Sequence, residues 1–463
     1  MIDQQILEAA VQECNAENEE SDEKAFNVID VFNLPQFTYS NERKKFLRKE
    51  APSHVLFSSA QAKTDMFRDR YTIVYQRTIR HDLFSPSAIG TRPSEQSKKF
   101  KLKPVEYLLG STAKLGEIIV LGMLTQMKEG KWFLEDNSGA VQLDLSRANF
   151  HTGLFTENCF VLAEGWYEDE VFHANAFGFP PAESAKTTRA FFGNTNFFGG
   201  PSPYSAKTNQ KLLQMEQNDP DAMFVFLSDV WLDNMKVMDK LRTLFTGYSE
   251  MPPTCFVFCG NFLSQSYGAK QAKTLQGCLK TLADLICEFK PLVEHSRFVF
   301  VPGAQDPGPS HILPRPPIPD VLTQHFRERV PQSVFASNPC RLQYCTQEMV
   351  IFREDLVMKM CRNCVRFPSE GDMSAHFAKT LVAQSHLCPL PLHVEPVYWA
   401  LDSALWLFPL PDLVVCADKY DHFSVAQVDC NIVNPGSFPR NDWVFKVYMP
   451  ATGHVEDSKI EDP

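Results

Sequence analysis

The spacing of hydrophobic residues changes along the chain and predicts several structural units. In the first hundred residues, Met66, Phe67 and Val74 recur at helical spacing, which predicts helices and connectors. Further on the pattern becomes strand-like, in five short runs at 117–126, 131–136, 140–145, 159–165 and 171–177. Consecutive short strands separated by turns predict a small antiparallel barrel, for which the OB-fold is the commonest candidate.

The second half of the chain alternates between apolar strands and amphipathic helices. Residues 182–222 are rich in Gly, Ser, Thr, Asn and Pro, and predict a linker. Uniformly apolar runs at 223–227, 255–259 and 297–301 are separated by helical stripes, which predicts a parallel sheet covered on both faces. A later strand-like run lies at 413–416.

These patterns predict a multidomain α+β protein. The expected units are a helical N-terminal segment and connector (1–100), an OB-fold (101–181), a linker (182–222), an α/β sandwich (223–450) and a C-terminal tail (451–463).

Composition and charge exclude several classes of protein. The 463 residues are 44% hydrophobic and include 37 Phe, which excludes a disordered chain. No signal sequence and no uncharged apolar run of membrane-spanning length is evident, so we expect a soluble protein with no membrane partner. The 13 scattered Cys are expected to be small core residues of a reducing compartment.

The net charge of −11 bears on an OB-fold, because such barrels often bind single-stranded nucleic acid. Acidic residues far outnumber Lys and Arg between 117 and 177, so the barrel surface should repel phosphates. An independent single-strand-binding protein therefore stays an alternative and is not the favoured one. The basic run Arg43–Lys49 is either a contact to DNA or an acidic partner, or a solvated helix face, and the solvated face is favoured.

Polar residues follow the predicted strands, at the edge of the sheet where ligands bind in open α/β folds. The segments that arrive there are 228–233, 260–264, 302–306, 417–420 and 434–437. Their order resembles the calcineurin-like metallophosphoesterases, whose pattern is Asp-x-His, Gly-Asp-x-x-Asp, Gly-Asn-His-Asp/Glu and Gly-His-x-His. That resemblance implies a site in which two metal ions activate water and hold a phosphate.

Most of the metal ligands implied by this resemblance are replaced. Asp229 and Asp306 match acidic positions of the phosphoesterase pattern, whereas Trp231 stands where that pattern has a His. Asn261 and Ser264 stand where the two Asp are expected, and Ala304 and Gln305 replace the Asn-His pair. Asp418 and Tyr420 replace the terminal histidines. We therefore expect a catalytically inactive domain with no metal and no cofactor, in which Trp231, Phe262 and Tyr420 collect on one face as filling. An active metallophosphoesterase or nuclease with unusual ligands is the alternative.

A barrel followed by a metal-stripped phosphoesterase domain resembles the B-subunits of the replicative DNA polymerases, and is closest to their epsilon branch. The matching segments are 224–233, 297–303, 338–345, 417–420 and 434–438. The resemblance implies a non-catalytic accessory subunit in DNA replication and repair that holds the zinc-bearing C-terminal domain of the catalytic subunit. It also implies a nuclear complex with histone-fold small subunits and the replicative helicase, with DNA contacted mainly through the complex.

Two further features bear on this resemblance. Family members usually begin with a small helical domain, and this sequence is expected to start near its end, so helicase contacts attributed to that domain are not carried over. Four cysteines at zinc-like spacing are Cys340, Cys345, Cys361 and Cys364. Cys340 and Cys345 differ in strand parity and a whole strand separates the two pairs, so a zinc site formed by these four cysteines is not favoured. If the polymerase complex carries a metal, the resemblance places it on the partner chain.

Overall fold

The computed structural model describes residues 25–49, 58–85, 99–309 and 311–461. The strands in these ranges are β1 (Phe26–Asp30), β2 (Phe37–Ser40), β3 (Lys45–Arg48), β4 (Leu115–Lys128), β5 (Lys131–Asp136), β6 (Gly139–Asp144), β7 (Asn149–Phe150), β8 (Phe160–Glu168), β9 (Val171–Gly178), β10 (Phe224–Ser228), β11 (Cys255–Cys259), β12 (Arg297–Val301), β13 (Ser333–Phe335), β14 (Cys340–Tyr344), β15 (Gln347–Arg353), β16 (Leu413–Ala417), β17 (Phe423–Gln427), β18 (Cys430–Asn434), β19 (Val444–Met449) and β20 (His454–Lys459). The α-helices are α1 (Ala60–Arg80), α2 (Val105–Leu109), α3 (Ala185–Phe192), α4 (Gln210–Asn218), α5 (Met235–Tyr248), α6 (Gln271–Cys287), α7 (Lys290–His295), α8 (Asp320–Arg329), α9 (Val357–Asn363) and α10 (Met373–Gln384).

Two six-stranded sheets form the larger unit. Sheet I has the order β13-β12-β11-β10-β19-β20, and β10 to β13 are parallel. Sheet II has the order β1-β14-β15-β16-β18-β17. Apolar side chains from both sheets meet in one buried cluster that includes Phe226, Val257, Val299, Leu342, Ile351 and Val415. Each sheet is thus covered on its inner face by the other, which is why its strands are almost continuously apolar.

Helices cover the outer faces of both sheets. The apolar stripes of α5, α6 and α8 pack on sheet I, and those of α9 and α10 pack on sheet II. The result is a four-layer α/β/β/α sandwich, which confirms the predicted mixed fold. The predicted parallel sheet is correct for sheet I, whereas the late run at 413–416 belongs to sheet II as part of β16.

The smaller unit is a β-barrel with the order β6-β5-β4-β8-β9-β7, closed by a pairing of β6 with β9. Its interior is filled by apolar side chains that include Val120, Leu134, Phe155, Phe172 and Phe177. The five strand runs predicted from the sequence correspond to β4, β5, β6, β8 and β9.

The prediction of a helical N-terminal segment is wrong for residues 25–49, which form strands. Strand β1 pairs antiparallel with β14, and β2 pairs with β3 in a hairpin. The partner of β1 lies more than 300 residues away, so no local pattern reveals this pairing. Helix α1 confirms the helical spacing around Met66 and Val74, and residues 1–24, 50–57 and 86–98 lie outside the described part of the chain.

Two other predicted segments differ in the structure. The predicted linker contains α3 and α4, and buries Phe197, Phe198 and Leu212. Its Gly and Pro residues had indicated an extended segment, but its apolar side chains pack on the sandwich. The predicted C-terminal tail contains β20, which pairs with β19 along six residues. In the described ranges, none of the helices combines the length and apolarity needed to cross a bilayer.

Hydrogen bonds lock the barrel and helix α1 onto the sandwich. The Gln384 side chain accepts a bond from the Phe160 backbone N–H at 2.7 Å and donates one to the Phe160 carbonyl at 2.8 Å, as a neighbouring strand would. Leu154 N–H donates to Thr380 Oγ1 at 2.9 Å. From α1, Arg70 forms a buried ion pair with Asp402, and the Arg70 Nε–Asp402 Oδ2 distance is 2.9 Å. Barrel, helix and sandwich therefore form one continuous structure.

Candidate functional site

The ends of strands from both sheets converge at one edge of the sandwich. The loops after β10, β11 and β12 of sheet I bring Asp229, Asn261 and Asp306 there. Sheet II contributes Arg353, the last residue of β15, and Asp418, which follows β16. A small set of polar groups therefore collects at the edge for which the sequence resemblance predicts a metal site.

Arg353 lies at the centre of this edge. Its Nη2 donates to Asp229 Oδ1 at 2.8 Å, and its Nη1 donates to Asp355 Oδ1 at 2.9 Å and to the Ala417 carbonyl at 3.0 Å. Its Nε donates to the Gly260 carbonyl. The side chain is only 3% exposed. Burial alone lowers the pKa of Arg353, but the carboxylates of Asp229 and Asp355 outweigh it and raise the pKa above its ordinary value.

Asp306 is buried under the same edge and is held by the main chain. Its two carboxylate oxygens accept hydrogen bonds from Phe262 N–H at 2.8 Å and from Gly303 N–H at 2.7 Å. Burial raises the pKa of Asp306 to about 6, against the opposing effect of these two bonds. The backbone of Gly260 lies so close to the Asp306 carboxylate that a Cβ on Gly260 would be 1.9 Å from Asp306 Oδ2. This close approach explains why position 260 is a glycine.

Asp418 acts as a support for helix α9. Its Oδ2 accepts bonds from the N–H groups of Leu356 at 2.6 Å and Val357 at 2.9 Å, at the start of that helix. Its Oδ1 accepts a bond from Tyr420 N–H at 2.8 Å. Burial raises the pKa of Asp418, and these main-chain bonds oppose the rise. The carboxylate is thus used to satisfy orphan donors at a helix terminus.

The remaining predicted positions are only partly brought together. Asn261 Oδ1 accepts a hydrogen bond from the backbone N–H of Gln305 at 3.0 Å, and Ala304 is the residue that precedes Gln305. Ser264 lies apart from Arg353 and binds Asp233, with 2.7 Å between Ser264 Oγ and Asp233 Oδ2.

The expectation that Trp231, Phe262 and Tyr420 collect on one face is wrong. Phe262 and Trp231 join the cluster on the outer face of sheet I, whereas Tyr420 packs on the cluster outside sheet II. The two clusters lie on opposite outer faces of the sandwich, so these aromatic rings do not fill one pocket. The group at the centre of the converging strand ends is the Arg353 guanidinium.

The residues at this edge do not fit the two-metal site that the phosphoesterase resemblance implies. The oxygens of Asp306 and Asp418 accept main-chain N–H groups, and Asp229 pairs with a guanidinium that brings its own positive charge. Among the described residues, no group of three or more His, Cys, Asp or Glu is arranged to hold a metal ion. A dinuclear centre needs several free carboxylates and imidazoles, which this edge does not supply.

The four cysteines at zinc-like spacing are also separated. Cys340 and Cys345 lie in the cluster between the sheets, whereas Cys361 packs against the cluster of α9 and α10. The Cys364 thiol donates to the Cys361 carbonyl at 3.0 Å. Burial raises the pKa of the Cys345 thiol to about 11, which disfavours the thiolate that zinc binds.

Arg353 is not among the site residues predicted from the sequence, although the sequence contains a signal for it. The apolar run of β15 ends in Arg353, Glu354 and Asp355, so a charged segment follows a buried strand here as it does after β10. The metal-ligand pattern of the phosphoesterases consists of acidic residues, Asn and His, so a comparison with that pattern does not point to an arginine.

Comparisons with known proteins cover the whole of this sequence. A family model for the B subunit of DNA polymerases alpha and epsilon matches residues 224–425, and one described as "DNA polymerase epsilon subunit 2-like, OB-fold domain" matches residues 60–181. Three similar proteins bear the name "DNA polymerase epsilon subunit 2". The Homo sapiens protein is 59% identical over 100% of this chain and 88% of its own length. The Bos taurus protein is 58% identical with the same coverage, and the Drosophila melanogaster protein is 43% identical over 100% of this chain and 87% of its own length.

Proposed function

This chain belongs to the DNA polymerase epsilon subunit 2 family, and we propose that it serves there as a catalytically inactive scaffold. It is the accessory B subunit of the DNA polymerase epsilon complex, and its partner is the catalytic subunit of that polymerase in DNA replication.

The observation that carries the proposed inactivity is the buried guanidinium of Arg353 between Asp229 and Asp355. Hydrolysis of a phosphate ester by two metal ions requires open coordination positions and a bound water. Here a protein cation takes up the charge of Asp229 instead. We therefore propose that none of the residues at the degenerate metal-site positions has a catalytic role. These residues are Asp229, Trp231, Asn261, Ser264, Ala304, Gln305, Asp306, Asp418 and Tyr420.

The test measures hydrolysis of bis(4-nitrophenyl) phosphate and of labelled DNA by the full chain with Mn²⁺. Asp229→Asn is the matched control, because it keeps the shape of the side chain and removes its charge. The expected result is the same background rate for both proteins. A wild-type rate well above background that Asp229→Asn abolishes would refute inactivity and favour the alternative of an enzyme with unusual ligands.

The proposed mode of action is to hold the zinc-bearing C-terminal domain of the catalytic subunit across the barrel and the sandwich. The bonds of Gln384 to Phe160 and of Thr380 to Leu154 fix the two units relative to each other. A rigid two-part surface loses little conformational entropy when a partner binds across it. The histone-fold subunits, the replicative helicase and a nuclear location are part of this proposal.

Co-purification of the full chain with that C-terminal domain tests the scaffold role. We expect a complex with one copy of each chain, measured by native mass spectrometry, and its loss when a chelator removes zinc from the partner domain before mixing. Failure of the zinc-loaded domain to co-elute with this chain would contradict the proposed mode of action.

A further inference from the structure

A hairpin near the start of the described chain carries a concentrated positive charge. This basic hairpin comprises β2, the turn 41–44 and β3. Its side chains Arg43, Lys44, Lys45 and Arg48 are exposed, and none of them has an ion-pair partner among the described residues. By contrast, the neighbouring Lys49 is paired with Asp69, with an Nζ–Oδ2 distance of 2.9 Å.

The predicted solvated helix face is wrong in its secondary structure, because Lys45–Arg48 forms strand β3, although the cations of this run are exposed. Ser40 pairs with Lys45 and Phe37 pairs with Arg48 across the hairpin. Because side chains alternate between the faces of a strand, Lys45 and Arg48 point to opposite sides, and Arg43 and Lys44 occupy the turn. Arg43, Lys44 and Lys45 therefore lie at the tip of the hairpin, and Arg48 lies at its other end, beside Phe37.

An aromatic cluster anchors the hairpin to the rest of the molecule. The Phe46 ring lies 5.0 Å from the ring of Phe192, 5.2 Å from that of Phe408 and 5.7 Å from that of Phe197, measured between centroids. Phe37 lies 4.5 Å from Phe197 in the same cluster. The hairpin backbone is thus held in place, so a partner that binds its cations does not have to order a loose loop.

The charge of the hairpin and its lack of exposed aromatic rings indicate what kind of partner it binds. A chain with a net charge of −11 places four cations within six residues here, and none of them is paired within the described part of the chain. Glu42 is the one acid in the run 41–48. The ring of Tyr39 packs against Phe46 and Phe192, so the hairpin offers no exposed aromatic ring on which a base could stack. Without an exposed ring on which a base can stack, the groups of a nucleic acid that these cations are best placed to contact are its phosphates.

We propose that the basic hairpin binds the phosphate backbone of duplex DNA, without sequence preference. Duplex DNA has a higher charge density than a single strand, about one phosphate charge per 1.7 Å of axis, and so attracts the cations spread along this hairpin more strongly. This contact is a property of the chain itself and does not depend on the scaffold role proposed above.

The test measures binding of the full chain to a fluorescent duplex of about 20 base pairs by anisotropy, with salt varied from about 25 to 200 mM. The hairpin variant is R43Q/K44Q/K45Q/R48Q. The matched control is K128Q/K236Q/K273Q/K280Q, which removes the same charge from exposed positions elsewhere. We expect the hairpin variant to bind at least about tenfold more weakly at low salt. We also expect its slope of log affinity against log salt to be shallower by up to about 3.6, since each released counterion contributes about 0.9. The control variant should retain both the affinity and the slope.

Three outcomes would overturn the proposal. Equal losses in the hairpin and control variants would show that net charge alone matters. Equal affinity for a single strand of the same length would remove the assignment to duplex DNA. Tighter binding of polyglutamate than of duplex by the wild-type chain, lost in the hairpin variant, would identify an acidic protein segment as the partner.

Discussion

Replacing Arg353 by Met removes the central cation of the strand-end site while keeping most of the side-chain volume. Asp229 and Arg353 are each about 3% exposed, and Arg353 also binds the Gly260 and Ala417 carbonyls. Breaking a buried ion pair by removing one partner costs about 3–5 kcal/mol, because the other charge is left uncompensated. Each buried main-chain carbonyl that loses its donor costs roughly 1–3 kcal/mol more when nothing replaces it. Since such costs overlap, we expect the sandwich to lose about 4 kcal/mol or more of unfolding free energy.

Urea unfolding followed by circular dichroism and Trp fluorescence measures this loss, and Trp231 reports on sheet I because it packs against that sheet's outer cluster. The double variant Asp229→Asn/Arg353→Met removes both charges and should recover about 2 kcal/mol of the loss. Arg242→Met is the control, because its pair with Glu288 is about half exposed, and it should leave the unfolding midpoint unchanged. A loss below about 1 kcal/mol for Arg353→Met, or strict additivity in the double variant, would refute a central role for this guanidinium.

Three further changes test neighbouring parts of the structure. The raised pKa of Asp306, about 6, means that the folded state binds its proton more tightly than the unfolded state, so stability is lost as the pH rises from about 4 through 6. Asp306→Asn should remove that loss, which is on the order of 3 kcal/mol, in urea unfolding at several pH values. Gly260→Ala should cost about 3 kcal/mol or more in thermal unfolding, because its Cβ would lie 2.6 Å from Gly303 N. Gln384→Leu should cost about 2 kcal/mol or more and speed hydrogen exchange in β8, because the Phe160 N–H and carbonyl lose their partner.

Each of these changes has a control or an opposing result. If wild type and Asp306→Asn show the same pH dependence of stability between pH 4 and 7, the carboxyl is not the titrating group. Gly277→Ala, in helix α6 with open space around its Cβ, should stabilise by about 0.5–1 kcal/mol, and an equal effect at Gly260 would contradict the close approach. Gln324→Leu changes an exposed amide that binds Glu328, and should leave exchange in β8 unaltered. Unaltered exchange in Gln384→Leu as well would show that the amide does not hold the barrel.

The fold could be predicted from the sequence wherever local pattern decides it. Strands β10, β11 and β12 are continuous apolar runs, and the helices between them carry apolar stripes, so both kinds of element are visible in short windows. Strand β1 is different, because it pairs with the distant β14, with Asp30 opposite Cys340, and its Phe26 and Ile29 are buried in two different core clusters. The residues around position 26 therefore carry no local pattern that identifies β14 as the partner strand.

The sequence predicts the acidic residues of the candidate site, but it does not predict that the Arg353 guanidinium lies among them. Asp229 and Asp306 follow strands of sheet I, and the carboxyl ends of parallel strands share one edge, so their approach follows from topology. Arg353 reaches the same edge from sheet II, whose position relative to sheet I depends on how the two inner faces pack. Asp418 follows a strand as predicted, yet it supports helix α9, because two N–H donors at the start of that helix lie within its reach.

The pairing of β1 with β14 makes the barrel an insertion within the sandwich. On a ribosome that adds about 5–20 residues per second, the first strand would emerge roughly 15–60 s before the one beside which it must lie. In that interval the barrel can close on its own strands, while β1 has no partner beside which to lie. Excising the family-matched segment from residue 224 onward would remove β1 and leave one edge of β14 bare, with the Cys340–Tyr344 backbone exposed to intermolecular pairing.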